Sequence, residues 1–156
     1  IIIKSFRIEF CGWVWYNGLN DKLEFDGGVL LMGFWIYMLI MDLLLPFTMI
    51  GFGKYFLKTA PKNINTEFGY RTSMSMKNKD TWTFAHKYCG KIWFISGLIM
   101  LPLSVVVMMF VIGGAENIVG TVGACLCGIQ FIPIVISIIL TEKALNKTFD
   151  KNGIRR

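Results

Sequence analysis

Residues 63–91 read NINTEFGYRTSMSMKNKDTWTFAHKYCGK, and this polar stretch stands between segments that are almost pure hydrocarbon. Its Gly, Arg, amides, hydroxyls and Trp occur together nowhere else in the chain at such density. Upstream, residues 29–53 carry one charge, Asp42. Downstream, residues 92–112 and 118–140 carry none. About 20 apolar residues suffice for a helix to cross the hydrocarbon core of a bilayer. The reading is therefore an all-α integral membrane three-helix bundle, with spans at 29–53, 92–112 and 118–140. A loop, 54–91, joins the first two spans, and a basic tail, 141–156, follows the third.

Composition agrees. Hydrophobic residues make up 54% of the 156-residue chain and charged residues only 17%, with a mean hydropathy of +0.56. A soluble domain of this size could not hide so much apolar surface. The net charge of +6 is concentrated rather than spread. Eight of the sixteen Lys and Arg lie between Lys54 and Lys91, and five between Lys143 and Arg156. Such charge beside apolar spans points to membrane topology rather than to nucleic acid. With three spans, the loop and tail share one side, and the Glu116 turn lies on the other. The positive-inside rule then places loop and tail in the cytoplasm and the N-terminus outside.

Local signals refine the elements. Pro46 lies inside the first span, where a neighbouring helix must satisfy the carbonyl it frees. Lys54 to Lys58 is a basic, aromatic interfacial flank, and Pro61 ends the helix. Asn78 is placed to cap a new helix. Trp82, Ala85, Cys89, Ile92, Trp93 and Ser96 follow helical spacing, so this helix lies in the interface for two or three turns before entering the second span, kinked near Pro102. Gly113 to Asn117 reads as a tight turn. Gly120, Ala124 and Gly128 recur every four residues, a stripe against which a neighbouring helix is expected to pack closely.

Residues 1–31 show no sustained period and no signal-peptide pattern. Two expectations stand for them: a translated leader preceding a natural start at Met32, or a short amphipathic arm. The first rests on Asp26-Gly27-Gly28, which can be encoded with a ribosome-binding GGAGG tract, and on Val29-Leu30-Leu31 as a spacer before the start; neither expectation outweighs the other. On either expectation, residues 32–156 form the membrane domain.

Catalysis has no positive support in the sequence, and no cofactor or metal site is expected. His86 is the only histidine. Without an acid or nucleophile partner it reads as interfacial packing with a wet imidazole edge. Cys11, Cys89, Cys125 and Cys127 have neither disulfide nor zinc spacing and read as soft apolar filler. Asp42 sits near the middle of its span, where a bare carboxylate is costly. Ser104 and Gln130 lie at similar depth, which suggests a midplane polar cluster. It reads either as a proton or ligand site or as interhelical glue between a protonated Asp42 and Gln130. In the loop, Arg71 is a planar five-donor group able to grip a phosphate, a helix C-terminus or a carboxylate. Gly69 permits a turn or a close approach.

These residues carry a resemblance. Asn65, Gly69-Tyr70-Arg71-Thr72, Ser75-Met76, Asn78, Trp82, Ala85-His86 and Gly90-Lys91, followed by an apolar span, resemble the signature of the SdpI family. These are bacterial multipass membrane proteins named for immunity to a secreted peptide toxin, the sporulation-delaying protein. The chain looks like a short three-span member, with Ser73 where the family often has Pro; longer members carry further spans. The resemblance implies a non-enzymatic protein that protects against a membrane-active peptide and captures a cytoplasmic transcriptional repressor. Its expected partners are thus the bilayer, the toxin and the repressor. The alternative is a small transporter or proton-coupled carrier using Asp42, which would have to form a homo-oligomer, since three spans are few for a transport path.

Overall fold

The computed structural model describes the backbone of residues 2–59, 64 and 69–156, with side chains described from residue 27 onward. The sequence expectations for residues 1–26 and for Asn65 lie outside the residues whose side chains are described. Among the described residues three helices occur: α1 (Ile2–Lys58), α2 (Lys79–Met109) and α3 (Glu116–Thr148). Within them Gly27–Lys58, Lys79–Met109 and Glu116–Thr148 are each long and apolar enough to cross a membrane. Each helix packs against the other two. This is the all-α, three-span architecture expected for a multipass membrane protein.

The radial pattern is that of a protein dissolved in lipid. Ile40, Leu44, Phe47, Ile99, Ile129 and Ile132 point outward, each at least half exposed. Inside sit Asp42, Ser104, Gln130, Ser137 and Thr141. Lipid tails solvate Leu and Ile as well as a protein core does, so apolar burial does not drive these helices together. Close packing and interhelical hydrogen bonds hold them instead.

The close packing lies between α1 and α2. A Cβ added at Gly53 would come within 2.5 Å of the Phe94 backbone nitrogen, and one at Gly97 within 2.9 Å of the Pro46 carbonyl oxygen. At Gly90 it would fall 3.0 Å from the Gly53 carbonyl oxygen. These three glycines let two backbones touch. The stripe Gly120, Ala124, Gly128 does not do so. A Cβ at Gly128 meets nothing within 4 Å, and one at Gly120 only the Phe34 ring. Ala124 and Gly128 are exposed, while the neighbouring face, Val119, Gly123, Leu126 and Gln130, is the buried one.

Helix ends differ modestly from the apolar boundaries. α2 stops at Met109, capped by Phe110, where the indole nitrogen of Trp35 on α1 donates to the Met108 carbonyl at 2.8 Å. Gly113, at φ +70°, turns the chain, and α3 starts at Glu116. α3 then continues to Thr148, well past Leu140, the expected end of the apolar span, because Leu145 is fully buried against Tyr70 and Cys89. The segment read as a basic tail is thus helix in its first half. Its second half folds back as a turn, with Phe149 bridged to Arg155.

Candidate functional site: the 69–78 cap and its cleft

The polar stretch ends in a cap over one end of the bundle. Gly69 adopts φ +112°, a left-handed conformation open to glycine, and a Cβ there would collide with Nε2 of His86. The turn aims the Tyr70 N–H at that same nitrogen, 2.9 Å away. Since Nε2 accepts, the ring proton lies on Nδ1, which donates to the Trp82 carbonyl at 2.8 Å. His86 is fully buried, with Phe56 edge-on at 5.0 Å and the Trp82 ring at 4.3 Å. The expectation of a wet imidazole edge is therefore corrected: both nitrogens are engaged by backbone, and the ring pins the cap to α2.

Tyr70 reaches the other way, into α3. Its hydroxyl lies 3.1 Å from both the Ile138 carbonyl and Oε1 of Glu142. Burial first, and then the Glu142 carboxylate, hold the phenol well above its ordinary titration range. Thr72 and Ser75 close the next turn reciprocally. The Thr72 N–H donates to Ser75 Oγ at 2.8 Å, and the Ser75 N–H to Thr72 Oγ1 at 3.2 Å.

Asn78 caps α2 as expected, in a capping box with Thr81. Its amide also donates to the Gly153 carbonyl at 2.6 Å, and the Lys77 ammonium donates to the Lys151 carbonyl. The 69–78 cap and the C-terminal turn thus lie at the same end of the bundle. The turn itself, Asp150-Lys151-Asn152-Gly153, is held by the Asp150 carboxylate, which accepts from the Asn152 and Ile154 N–H groups at 2.8 Å each. Gly153 supplies the left-handed φ of +80°.

Most of the singled-out loop residues therefore have internal work. Gly69, Tyr70, Thr72, Ser75, Asn78, Trp82, His86 and Gly90 shape the cap or the helix contact beneath it. Arg71 and Lys91 are exposed, and no described residue holds the Arg71 guanidinium by a hydrogen bond or ion pair. Arg71 stands at the rim of a cavity of about 360 Å³. Phe52 and Phe56 of α1, the Gly69–Thr72 run, Cys89 and Trp93 of α2, and Ile138 of α3 line it. Trp93 is held in place by its indole N–H, which donates to Ser137 Oγ at 2.8 Å. An apolar cleft with one guanidinium at its mouth suits an amphiphile: hydrocarbon inside, an anionic group on the rim. Sequence reading missed Phe56, Trp93, Ser137, Ile138 and Glu142. They lie on three helices, and no local pattern joins them.

A second polar centre lies deeper. The Gln130 amide donates to the Asp42 backbone carbonyl at 3.0 Å and to Ser104 Oγ at 2.8 Å. The structure thus brings Asp42, Ser104 and Gln130 together. Among the described residues, no group of three His, Cys, Asp or Glu side chains is placed to hold a metal.

A model of the SdpI/YfhL protein family matches residues 62–141, half of the chain, taking in the cap, α2 and most of α3. The "Uncharacterized protein YfhL" of Bacillus subtilis (strain 168) is 30% identical over 98 residues, covering 61% of this chain and 77% of that one. No solved structure matches the chain. The matched region is the one that carries the cap, its cleft and the Gly69–Thr72 run, and the chain belongs to the SdpI/YfhL protein family.

Proposed function

We propose that this is a non-enzymatic immunity protein that shields its membrane from a secreted, membrane-active peptide, with the cleft beneath the 69–78 cap as the working surface. Family membership suggests a membrane protein of the immunity type. The observation that carries the finer reading is the division of labour within the cap. The Gly69–Thr72 run lines one apolar cleft, most of the other described motif residues are spent inside the cap or on the helix contact beneath it, and Arg71 carries charge at the cleft's mouth. The apolar part of an inserted peptide enters laterally from the bilayer, and an anionic end rests on Arg71. The cap and tail face the cytoplasm, where exposed Lys77, Lys79, Lys87, Lys151, Arg155 and Arg156 form a basic surface suited to a cytoplasmic regulator or anionic headgroups.

Photocross-linking tests the cleft. A photoreactive phenylalanine analogue at Phe52 is expected to capture an added peptide of the sporulation-delaying type. The same probe at lipid-facing Ile129, which is 52% exposed, is expected not to. Equal capture from both positions would overturn the assignment.

A further inference from the structure

The hydrogen atoms around Gln130 can be counted. Asp42 O accepts only, so the Gln130 NH₂ group, not its oxygen, must face it. Both amide hydrogens are then engaged, one by Asp42 O and one by Ser104 Oγ. The Ser104 hydroxyl hydrogen is also engaged, donating to the Met100 carbonyl at 2.8 Å. Two acceptors remain, Oδ2 of Asp42 and Oε1 of Gln130, both buried and neither with a donor. Asp42 is 1% exposed and Gln130 fully buried. Two lone-pair oxygens without a donor, inside a bilayer, are costly. The carboxyl is the group in the cluster able to take a hydrogen and, with it, to become a donor.

We infer that the Asp42–Gln130–Ser104 cluster is a binding site for a single proton, held on Asp42 and donated to Oε1 of Gln130, so that protonation clasps α1 to α3. The surroundings supply no competing charge. Residues 33–53, 92–109 and 118–140 contain no Lys, Arg, His, Glu or second Asp. Against Asp42 Oδ2 pack the α3 backbone at Gly123, where an added Cβ would lie 3.1 Å away, and Met38 nearby. Ser104 is the polar group contributed by α2. A metal cation would need several further oxygens, and Ser104 Oγ and the Asp42 carbonyl are already engaged by the amide. This site is independent of the cleft and of the immunity reading.

Infrared spectroscopy of the chain in phosphatidylcholine vesicles, carbon-13 labelled at aspartate carboxyls, tests it. At neutral pH one protonated-carboxyl C=O band per chain is expected, shifting in deuterium oxide and absent from Asp42→Asn. The band is expected to be equal in sodium and choline chloride, and to move to higher frequency in Gln130→Leu, which keeps the proton but loses its acceptor. A spectrum of carboxylates alone would overturn the site, and this needs only the native chain. Loss of the band in sodium alone would assign the site to a cation instead. A band unmoved by Gln130→Leu would overturn the pairing.

Discussion

The side-chain amide of Gln130 on α3 donates to the backbone carbonyl of Asp42 on α1, the carbonyl that Pro46 deprives of its helical partner. Proline at position 46 has no N–H to offer the residue four before it. A lone carbonyl in the bilayer interior needs a donor, and a neighbouring helix provides one. Replacing Gln130 by Leu leaves that carbonyl and Ser104 Oγ without this donor. The loss is expected to be roughly 1–2 kcal/mol of helix association. Denaturation by increasing sodium dodecyl sulfate in mixed micelles measures it, and an unchanged midpoint would show that the tie is idle.

Gly97 and Gly128 should answer the same substitution differently. Valine at Gly97 must displace the backbone of α1 at Pro46 and Ile50, because a Cβ already falls 2.9 Å from the Pro46 carbonyl oxygen. Overpacking of this kind costs about 1–3 kcal/mol. Valine at Gly128, with nothing within 4 Å, is expected to be close to neutral. The same micelle titration compares them, and equal losses would place the close contact elsewhere.

Gly69→Ala is expected to loosen the cap without unfolding the spans. A β-carbon at φ +112° is strained by about 1–3 kcal/mol and would also strike His86. The Tyr70 amide, now bonded to His86 Nε2, should exchange with deuterium at least tenfold faster. Unchanged protection at Tyr70 would contradict the role given to the turn.

The C-terminal turn should open in acid. The Ile154 N–H first, helped by the Asn152 and Gly153 N–H groups and Arg156, holds the Asp150 carboxyl below its ordinary value of 3.8. A depressed folded value means that the contribution is complete above that ordinary value and is lost as pH falls through the lower, folded one. Exchange at the Asn152 and Ile154 amides, corrected for its intrinsic pH dependence, should therefore lose protection below about pH 3.9, the usual Asp range. Asp150→Asn should remove that step.

The spans, the Asn78 cap and the meeting of Asp42, Ser104 and Gln130 were legible in the sequence, because hydropathy, capping chemistry and depth are local or one-dimensional properties. The stripe at Gly120, Ala124 and Gly128 misled because periodicity shows that small residues share a face, not that the face is buried. The glycines that matter are split between two helices, and only Gly90 and Gly97, seven apart, carried a signal within one of them. His86 was misplaced because its partners, Tyr70 and Phe56, come from the loop and from α1. The turn at Asp150-Lys151-Asn152-Gly153 did have a signature, an Asp opening and a left-handed Gly close, but the basic residues around it read as solvated tail.

Survival and membrane potential of toxin-sensitive bacteria expressing this chain, challenged with a sporulation-delaying-type peptide, test the central claim most directly. Arg71→Ala and Lys91→Ala run beside it at equal membrane abundance. The cleft assignment predicts that the unaltered chain and Lys91→Ala keep cells polarised and alive, while Arg71→Ala loses at least tenfold in protection. Full protection by Arg71→Ala, or none from the unaltered chain, would contradict it.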